Sequence, residues 1–489
     1  MLFRSGNNFY QWTGQWQFAS SSHPGAFDPQ KLALQPRVGL AYRINDRTAF
    51  RFGYARYLIP YEMNIALAPV SGYETVGFLE PPFLGETGYQ NTLAPHDGVP
   101  QETISNPYPA TSNPLLPILG TGFGGNLGRG GQPLLWYNQN QQKARNDRFN
   151  FNLQRQIPGQ IVVSGTYFIN LGNQQYTKAL NQINPALEVQ YQNQLNQQVA
   201  NPFYQYLNTT LMPGPLYNQQ TVSLGSLLVP HPQYGGLYSL GVLGAAERYQ
   251  SVELKAQKAF SKGYNFIATY VYIREKAQTN GFLNGGVFND QEWYANQLVY
   301  QNSNQPRNRL NLAGTWELPI GKGKPYLNDL PRAADAIVGG WKAAGIWTFM
   351  TGDFPQFGNL IVNGNPCVSN PTPQHWFNTA AFSPIPANTY VLRTNPLQYD
   401  CLTGPKFWVL DGNLTKAFNI TDRFHAELKM AAYNATNRLN RGDPDTGVTD
   451  STFGQTLYQG SPGGTFGAQG GGYGNQSGRQ VELGLKIIF

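Results

Sequence analysis

The sequence predicts an all-β protein, an antiparallel transmembrane β-barrel with short turns at one end and long loops at the other. Three observations predict this fold. Apolar and polar side chains alternate in recurring segments of about nine to twelve residues, the length of a tilted strand that crosses a bilayer. The connections between these segments alternate between short and long. Charged residues make up only 12% of the chain, yet its mean hydropathy is -0.41.

The composition separates the chain from ordinary soluble and helical membrane proteins. With 489 residues it is too long for one ordinary compact domain, unless that domain is a large barrel or a solenoid. Its uncharged polar residues suit a wet lumen and long loops, and no apolar run approaches about 18 residues, so helical spans are excluded. The net charge of +7 comes from singly scattered Lys and Arg residues, which argues against nucleic-acid binding.

The alternating segments predict about twelve strands, arranged mainly as hairpins. A turn at Asn45 and Asp46 joins the first clear pair, because these residues favour turns. The strand 307–317 is expected to pair with 341–350 across a longer connection. In chain order the predicted strands are 9–18, 37–44, 48–58, 148–155, 160–170, 248–258, 264–274, 307–317, 341–350, 407–416, 423–433 and 478–489.

The last strand shows the two faces most clearly. Side chains in a strand point alternately to opposite sides, so its apolar residues share one face, which in a membrane barrel contacts lipid. These residues form an outer-membrane C-terminal signature: Val481, Leu483, Leu485, Ile487 and Phe489. By the same alternation, four polar residues of the preceding strand are candidates to face the lumen: Arg423, His425, Glu427 and Lys429.

Aromatic residues near strand ends are predicted to form girdles at the lipid headgroups, with an ordinary sandwich core as the alternative. They are Tyr54, Tyr57, Tyr270, Tyr272, Trp347 and Trp408.

Unequal connection lengths predict the orientation of the barrel. The long connections 59–147, 171–246 and 351–405 are expected outside the cell, and the short turns in the periplasm. The connection 319–340 is expected in the periplasm, with a short helix near 333–338. Asn184 followed by Pro185 predicts the start of a helix within the loop 171–246.

No motif in the chain predicts catalysis, a cofactor or a metal. The glycine-rich stretch 120–125 lacks the strand, helix and acidic residue of a nucleotide site, and 321–324 is a turn rather than a phosphate loop. The segment 443–447 lacks the last glutamate of a calcium loop and is better explained as an Asx turn. The five histidines are isolated, which makes metal ligation a poor explanation: His23, His96, His231, His375 and His425.

Two cysteines, Cys367 and Cys401, lie in one irregular stretch of the sequence. In an oxidising compartment they are candidates for a loop disulfide, and the alternative is two unrelated thiols.

The order and spacing of the hairpins resemble the C-terminal barrel of TonB-dependent receptors, specifically the Oar-like group. The resemblance covers nearly the whole chain, although no single piece is diagnostic. The pieces that carry it are 35–57, 148–173, 200–204, 247–272, 307–324, 339–357, 413–440 and the closing strand. It implies an outer-membrane location, contact with lipid, uptake of a ligand and a terminal Phe489 that the barrel-assembly machinery reads.

The resemblance also implies a 22-stranded barrel filled by a plug and energised by TonB, whereas about twelve strands are recognised in this chain. Its first residues, MLFRSGNNFYQW, show no apolar signal region. The expectation is therefore an N-terminally truncated fragment, residues 1–489 forming the C-terminal part of a barrel, with the TonB complex a partner only of a full-length form. The alternative is a secreted or surface β-rich protein that binds glycans or peptides or acts in adhesion.

Overall fold

The computed structural model describes residues 21, 32–59, 134–137, 142–204, 216, 219–232, 237–279, 299–302, 306–387, 389–391, 395–419, 425–456 and 478–488. Its strands in chain order are β1 Arg37–Asn45, β2 Thr48–Ile59, β3 Leu134–Tyr137, β4 Ala144–Ile157, β5 Ile161–Ala179, β6 Gln198–Ala200, β7 Thr221–Ser223, β8 Leu237–Ser261, β9 Tyr264–Thr279, β10 Val299–Asn302, β11 Asn308–Glu317, β12 Trp341–Met350, β13 Ile361–Val362, β14 Phe382–Ser383, β15 Phe407–Asn419, β16 His425–Tyr433 and β17 Gln480–Ile488.

One 13-stranded sheet dominates the fold. Eleven of its strands form an antiparallel meander in the order β1-β2-β4-β5-β8-β9-β11-β12-β15-β16-β17. β10 pairs antiparallel with the C-terminal end of β9, and β3 pairs in parallel with β8. Within the described residues, β1 and β17 therefore pair on one side only.

The meander confirms the predicted antiparallel strands and their hairpin order. Eleven of the predicted strands are present, and 307–317 pairs with 341–350 as expected, from Arg309 opposite Met350 to Glu317 opposite Lys342. The remaining predicted strand, 9–18, lies outside the described residues. The predicted turn at Asn45 is also present, since the Asn45 side chain accepts a hydrogen bond of 3.0 Å from the Arg47 backbone N–H.

Two strands are much longer than the sequence predicts. β5 has 19 residues and β8 has 25, whereas the alternation predicts about eleven in each. Their ladder continues to Ala179 opposite Tyr238, well past the alternating part of either strand. Backbone hydrogen bonding needs no alternation of side chains, so the ladder continues into segments predicted to be loop. β3 and β10 likewise lie in segments predicted to be loops.

The pairing register places the predicted apolar residues of all eleven strands on one side of the sheet. Leu483 lies opposite Met430, Met430 opposite Leu414, and the row continues across β12 and β11 to Trp316. At the other end of the meander, Leu40 lies opposite Phe52 and Phe52 opposite Phe151. Directly opposed residues share a face, so these rows form one continuous apolar face, and the intervening residues form a polar face.

The helices lie in the connections. Pro185–Tyr191 begins where predicted, because the Asn184 side chain accepts a hydrogen bond of 2.9 Å from the Ala186 backbone N–H. Arg332–Val338 confirms the helix predicted before β12, and a single further turn spans Leu224–Leu227. No helix in the described ranges is long and apolar enough to cross a membrane.

The two larger hydrophobic cores lie among the connections, and a smaller one, Met350 with Phe407 and Val409, lies at the ends of β12 and β15. The largest one joins the segments 351–406 and 434–456, here called the loop cap. Its fully or largely buried residues are Phe357, Leu360, Phe377, Ala381, Phe382 and Leu402. A second, within 180–232 and here called the loop lobe, is formed by Phe203, Leu216, Val222 and Leu227.

Candidate functional site: a polar sheet face beneath a folded loop cap

A groove of about 780 Å³ lies over the central strands of the sheet. Much of its lining comes from the polar face, and Asn265 and Thr315 show how the strands position it. The Thr315 side chain donates a hydrogen bond of 2.6 Å to the Asn265 side chain on the neighbouring strand. Other polar-face lining residues include Ile267, Ala344, Ile346, Asp411, Asn413 and Lys429. Among these named side chains only Asp411 and Lys429 are charged, and the others are uncharged polar or aliphatic groups.

Polar pairs also cross the first strands of the meander on this face. Arg51 donates a hydrogen bond of 2.8 Å to the Gln154 side chain, and Asn152 donates one of 2.9 Å to Thr166. These ladders hold the polar side chains in fixed positions along the face.

The predicted lumen-facing residues are placed as follows. Glu427 lies opposite Ala417 and Lys486, and Lys429 lies opposite Thr415 and Gly484, so both belong to the polar face. Lys429 also lines the groove. His425 begins β16 opposite Ile488, and Arg423 lies outside the described residues.

The residues of the predicted C-terminal signature lie together on the apolar face of β17. They are highly exposed: Val481 63%, Leu483 74%, Leu485 66% and Ile487 59%. Phe489, the last member of the signature, lies outside the described residues.

Of the aromatic residues predicted to form girdles, all but one lie on the apolar face. The exception is Tyr57. Two residues before it in the strand, Ala55 lies opposite Arg148 on the polar face. Residues two apart in a strand share a face, so Tyr57 lies on the polar face with Arg148. The guanidinium carbon of Arg148 sits 4.9 Å from the centre of the Tyr57 ring, and that of Arg37 sits 5.2 Å from it. The girdle prediction is wrong for Tyr57, because its strand position directs the ring toward these cations rather than outward.

An aromatic cluster and a disulfide hold the loop cap together. The Phe357 ring lies 5.1 Å from Phe382 and 5.3 Å from Phe377 between ring centres. Cys367 and Cys401 form a disulfide, with Cα atoms 6.1 Å apart. The bond closes residues 367–401 into a ring that contains Phe377 and Phe382 of the aromatic cluster.

Backbone hydrogen bonds attach the segment 434–456 to the same core. The Trp376 backbone N–H donates to the Gly454 carbonyl at 2.8 Å, and the Thr456 N–H donates to the Pro373 carbonyl at 2.8 Å. Asp445 accepts a hydrogen bond of 2.8 Å from the Gly447 N–H, which confirms the Asx turn predicted in 443–447. The loop cap is therefore one folded unit built from two connections.

The loop cap also contacts the polar face and the loop lobe. Asp411 of β15 accepts a hydrogen bond of 2.8 Å from the Asn434 N–H, at the start of the second loop-cap segment. In the loop lobe, the Gln192 side chain donates to the Tyr390 carbonyl at 3.0 Å and accepts from the Tyr390 N–H at 2.7 Å. The loops at this end thus form a connected layer.

Two carboxyl groups meet at the base of the loop cap. Asp353 is 5% exposed. A Cβ added to Gly404 would lie 2.2 Å from Asp443 Oδ1 and 3.3 Å from Asp353 Oδ1, so both side chains converge on this glycine and only glycine leaves them room. Desolvation, together with hydrogen bonding to and repulsion from Asp353, raises the pKa of the Asp443 carboxyl to about 8. The Asp443 carboxyl is therefore mostly protonated at neutral pH.

Among the described residues, the motifs for which the sequence predicts no function form ordinary turns. The segment 321–324 forms a turn in which the Lys324 N–H donates to the Gly321 carbonyl at 3.0 Å. Among the residues that the structure describes, no group of three or more His, Cys, Asp or Glu side chains is arranged to hold a metal ion. The glycine-rich stretch 120–125 lies outside the described residues.

An antiparallel meander with one apolar and one polar face, short turns at one end and folded loops at the other defines the class of outer-membrane β-barrel proteins. A family model described as "Outer membrane beta barrel domain" matches residues 3–469, and the chain belongs to this family. The predicted fold class and outer-membrane location are confirmed. No curated protein matches the chain at a significant level.

Several solved structures are similar to the chain at low identity. The ferripyoverdine receptor of the outer membrane of Pseudomonas aeruginosa shares 9% identity, covering 93% of this chain and 33% of that one, with a TM-score of 0.36. The outer-membrane transporter YddB from Escherichia coli shares 12% over 91% and 39% of the two chains, with a TM-score of 0.37. The siderophore receptor PiuA from Acinetobacter baumannii shares 11% over 93% and 35%, with a TM-score of 0.36. This chain thus spans between a third and two fifths of their lengths.

Sequence reasoning missed the contacts that organise the loop cap. Asp353 and Asp443 lie in different connections, and neither belongs to a pattern that predicts the other as a neighbour. Gln192 and Tyr390 are likewise remote in sequence. The one available signal was the pair of cysteines, which indicated that the stretch 367–401 folds back on itself.

Proposed function

We propose that the chain forms part of the wall of a receptor-type transport barrel in the outer membrane, similar to TonB-dependent receptors, which takes up a ligand bound by its loops and lumen. The observation that carries this proposal is the division of one sheet into an apolar and a polar face, with the loop cap at one end. A barrel needs such faces, since lipid contacts its outside and water its inside.

In this proposal the apolar face contacts lipid and the polar face lines the lumen. The exposed apolar residues fit this assignment, because a soluble protein rarely leaves so large an apolar surface uncovered. Examples are Leu153, 50% exposed, Leu254, 52%, and Ile487, 59%. Glu427 and Lys429 are then lumen-facing, as predicted from the sequence.

We also infer that the meander is a segment of a larger wall. β1 and β17 each pair on one side in the described sheet, and their apolar residues remain exposed, with Leu40 at 55% and Leu483 at 74%. An unpaired strand edge is a template for another strand. Further strands beside these edges agree with the 22 strands that the family resemblance implies. An in-frame coding segment for more strands and a plug upstream of Met1 would support this inference.

The proposed partners follow from the same assignment. The apolar face requires outer-membrane lipid, and β17 with Phe489 is the segment that barrel-assembly machinery would read. Energised uptake would require a plug and the TonB complex in a full-length form. The groove lining offers a ligand both hydrogen-bonding groups, such as Asn265 and Asn413, and aliphatic surface, with Asp411 and Lys429 as charged groups. None of these roles requires catalysis or a cofactor.

Solubility and heat-modifiable migration test the membrane assignment. The chain is expected to stay folded only in detergent or vesicles, and the folded form should migrate differently from the boiled form in a denaturing gel. A folded, soluble monomer in plain buffer would contradict the proposal and favour a secreted or surface protein that binds glycans or peptides. A variant that removes only loop-cap contacts, such as Phe357→Ala, serves as a control that leaves the apolar face intact.

A further inference from the structure

The connection between β11 and β12, residues 318–340 and here called the 318–340 knob, is folded rather than a simple turn. The Lys322 N–H donates a hydrogen bond of 2.7 Å to Asp335, which joins the turn to the helix Arg332–Val338. Gly321 has φ +110°, and a Cβ there would lie 2.6 Å from the Cα of Gly339. The two ends of the knob therefore touch, and the knob holds a defined shape.

Two side chains attach the knob to the apolar face of the sheet. The Trp341 indole N–H donates a hydrogen bond of 2.9 Å to the Ile337 carbonyl. The Lys416 ammonium donates to the Gly339 carbonyl. Trp341 lies opposite Lys416, which lies opposite Leu428, so all three share the apolar face. The C-terminal end of the helix consequently lies on the side of the sheet that is proposed to contact lipid.

The knob exposes large apolar side chains. Ile337 is 73% exposed, Tyr326 65%, Leu327 54% and Val338 37%. On the neighbouring part of the sheet, Trp316 and Phe260 are each 49% exposed. At Ile337, which contacts Trp341, the apolar surface of the knob continues that of the sheet, and a water-exposed turn has no reason to present four such residues.

Charged groups on the knob fit a phospholipid surface. Lys322 and Arg332 are exposed. Asp335 accepts a hydrogen bond within the knob, and Glu317 of β11 pairs with Lys324 at 3.1 Å. The knob thus exposes two cations, Lys322 and Arg332, and one acidic residue, Asp329, and the cations can reach lipid phosphates while the apolar residues enter the acyl region, as in interfacial helices.

We propose that the 318–340 knob is an interfacial anchor, which inserts Ile337, Val338 and Leu327 into the periplasmic phospholipid leaflet beside the barrel wall. This inference rests on the proposed function, because it requires the apolar face to contact lipid. The anchor would hold this end of the sheet at a fixed depth in the membrane.

Site-specific fluorescence in vesicles tests the anchor. The only cysteines of the chain are joined in a disulfide, so a single added cysteine can be labelled with an environment-sensitive dye. Ile337→Cys, Asp329→Cys and Leu254→Cys place the dye on the anchor, on an exposed polar site of the same knob and on the apolar face. The vesicles contain phosphatidylcholine and phosphatidylglycerol, with a doxyl-labelled lipid as the membrane quencher and iodide as the aqueous quencher.

The dye at position 337 is expected to be quenched several-fold more by the doxyl lipid than the dye at position 329, and less by iodide. The dye at position 254 should behave as at 337. Equal iodide quenching at 337 and 329, with lipid quenching retained at 254, would overturn the anchor and leave the barrel assignment standing. Loss of lipid quenching at 254 in a folded protein would instead overturn the proposed function.

Discussion

The Gln192 side chain pairs with the Tyr390 backbone as a neighbouring strand would, donating to its carbonyl at 3.0 Å and accepting from its N–H at 2.7 Å. The pair joins the loop lobe to the loop cap across a sequence separation of 198 residues. One side chain thus makes both backbone hydrogen bonds of Tyr390, and the two loops are held together at this point.

Gln192→Ala is expected to loosen the loop layer without unfolding the sheet. A hydrogen bond of this kind contributes on the order of 1 kcal/mol, and both bonds are lost together. Hydrogen exchange at the Tyr390 amide should become about tenfold faster or more. Gln190→Ala, at an exposed site of the helix that ends just before Gln192, is the matched control and should leave that amide unchanged. Equal rates in all three proteins would show that the pair does not form.

Leu483→Arg should destabilise the protein by about 2 to 4 kcal/mol if the residue lies near the bilayer midplane, because a charged side chain on the lipid face loses its hydration. Glu482→Arg on the adjacent polar-face position should cost little. Equilibrium unfolding by denaturant in vesicles measures both changes. Equal loss of stability in the two variants would argue against the assigned faces.

Replacing both cysteines of the loop cap, Cys367→Ser with Cys401→Ser, should destabilise this unit by about 2 to 4 kcal/mol. The disulfide closes a loop with a sequence separation of 34, so its loss frees that segment in the unfolded cap. Limited proteolysis should then cut the segment 367–401 faster, and reduction of the unmodified protein should have the same effect. Ser369→Ala is the control, and cleavage that is equally slow with and without the disulfide would contradict the prediction.

The stability of the loop cap should fall as the pH rises from about 4 to about 8. Asp443 has its pKa raised from the ordinary 3.8 to about 8, so the folded cap binds this proton more tightly than the unfolded chain does. The stabilisation is complete below the ordinary pKa and is lost as the pH rises through the raised one. Proteolysis of the cap in detergent at pH 5 and pH 9, which lie below and above the raised pKa, measures the effect.

Asp443→Asn should remove most of this pH dependence, because an amide carries no charge beside Asp353. Asp450→Asn, at an exposed site in the same loop-cap segment, is the matched control and should keep the dependence. A pH dependence that persists unchanged in Asp443→Asn would assign it to another group.

Much of the sheet was predictable because each strand carries its own signal. Val481, Leu483 and Leu485 alternate with polar residues, and alternation places residues on two faces whatever the neighbouring strand is. The start of the helix at Asn184 and the Asx turn at Asp445 were predictable for the same reason, since each depends on groups within a few residues. The long ends of β5 and β8 were not, because backbone pairing there continues without alternation.

The sequence by itself determined the class of the fold, the positions of eleven strands and the two faces of the sheet, because these follow from the local order of apolar and polar side chains. Only the tertiary structure decided how Phe357 meets Phe382, how Asp443 meets Asp353 and how the knob reaches Trp341. These contacts join segments that are far apart in the chain and lack any period. Their formation depends on how the connections pack over the ends of the sheet, which no local pattern encodes.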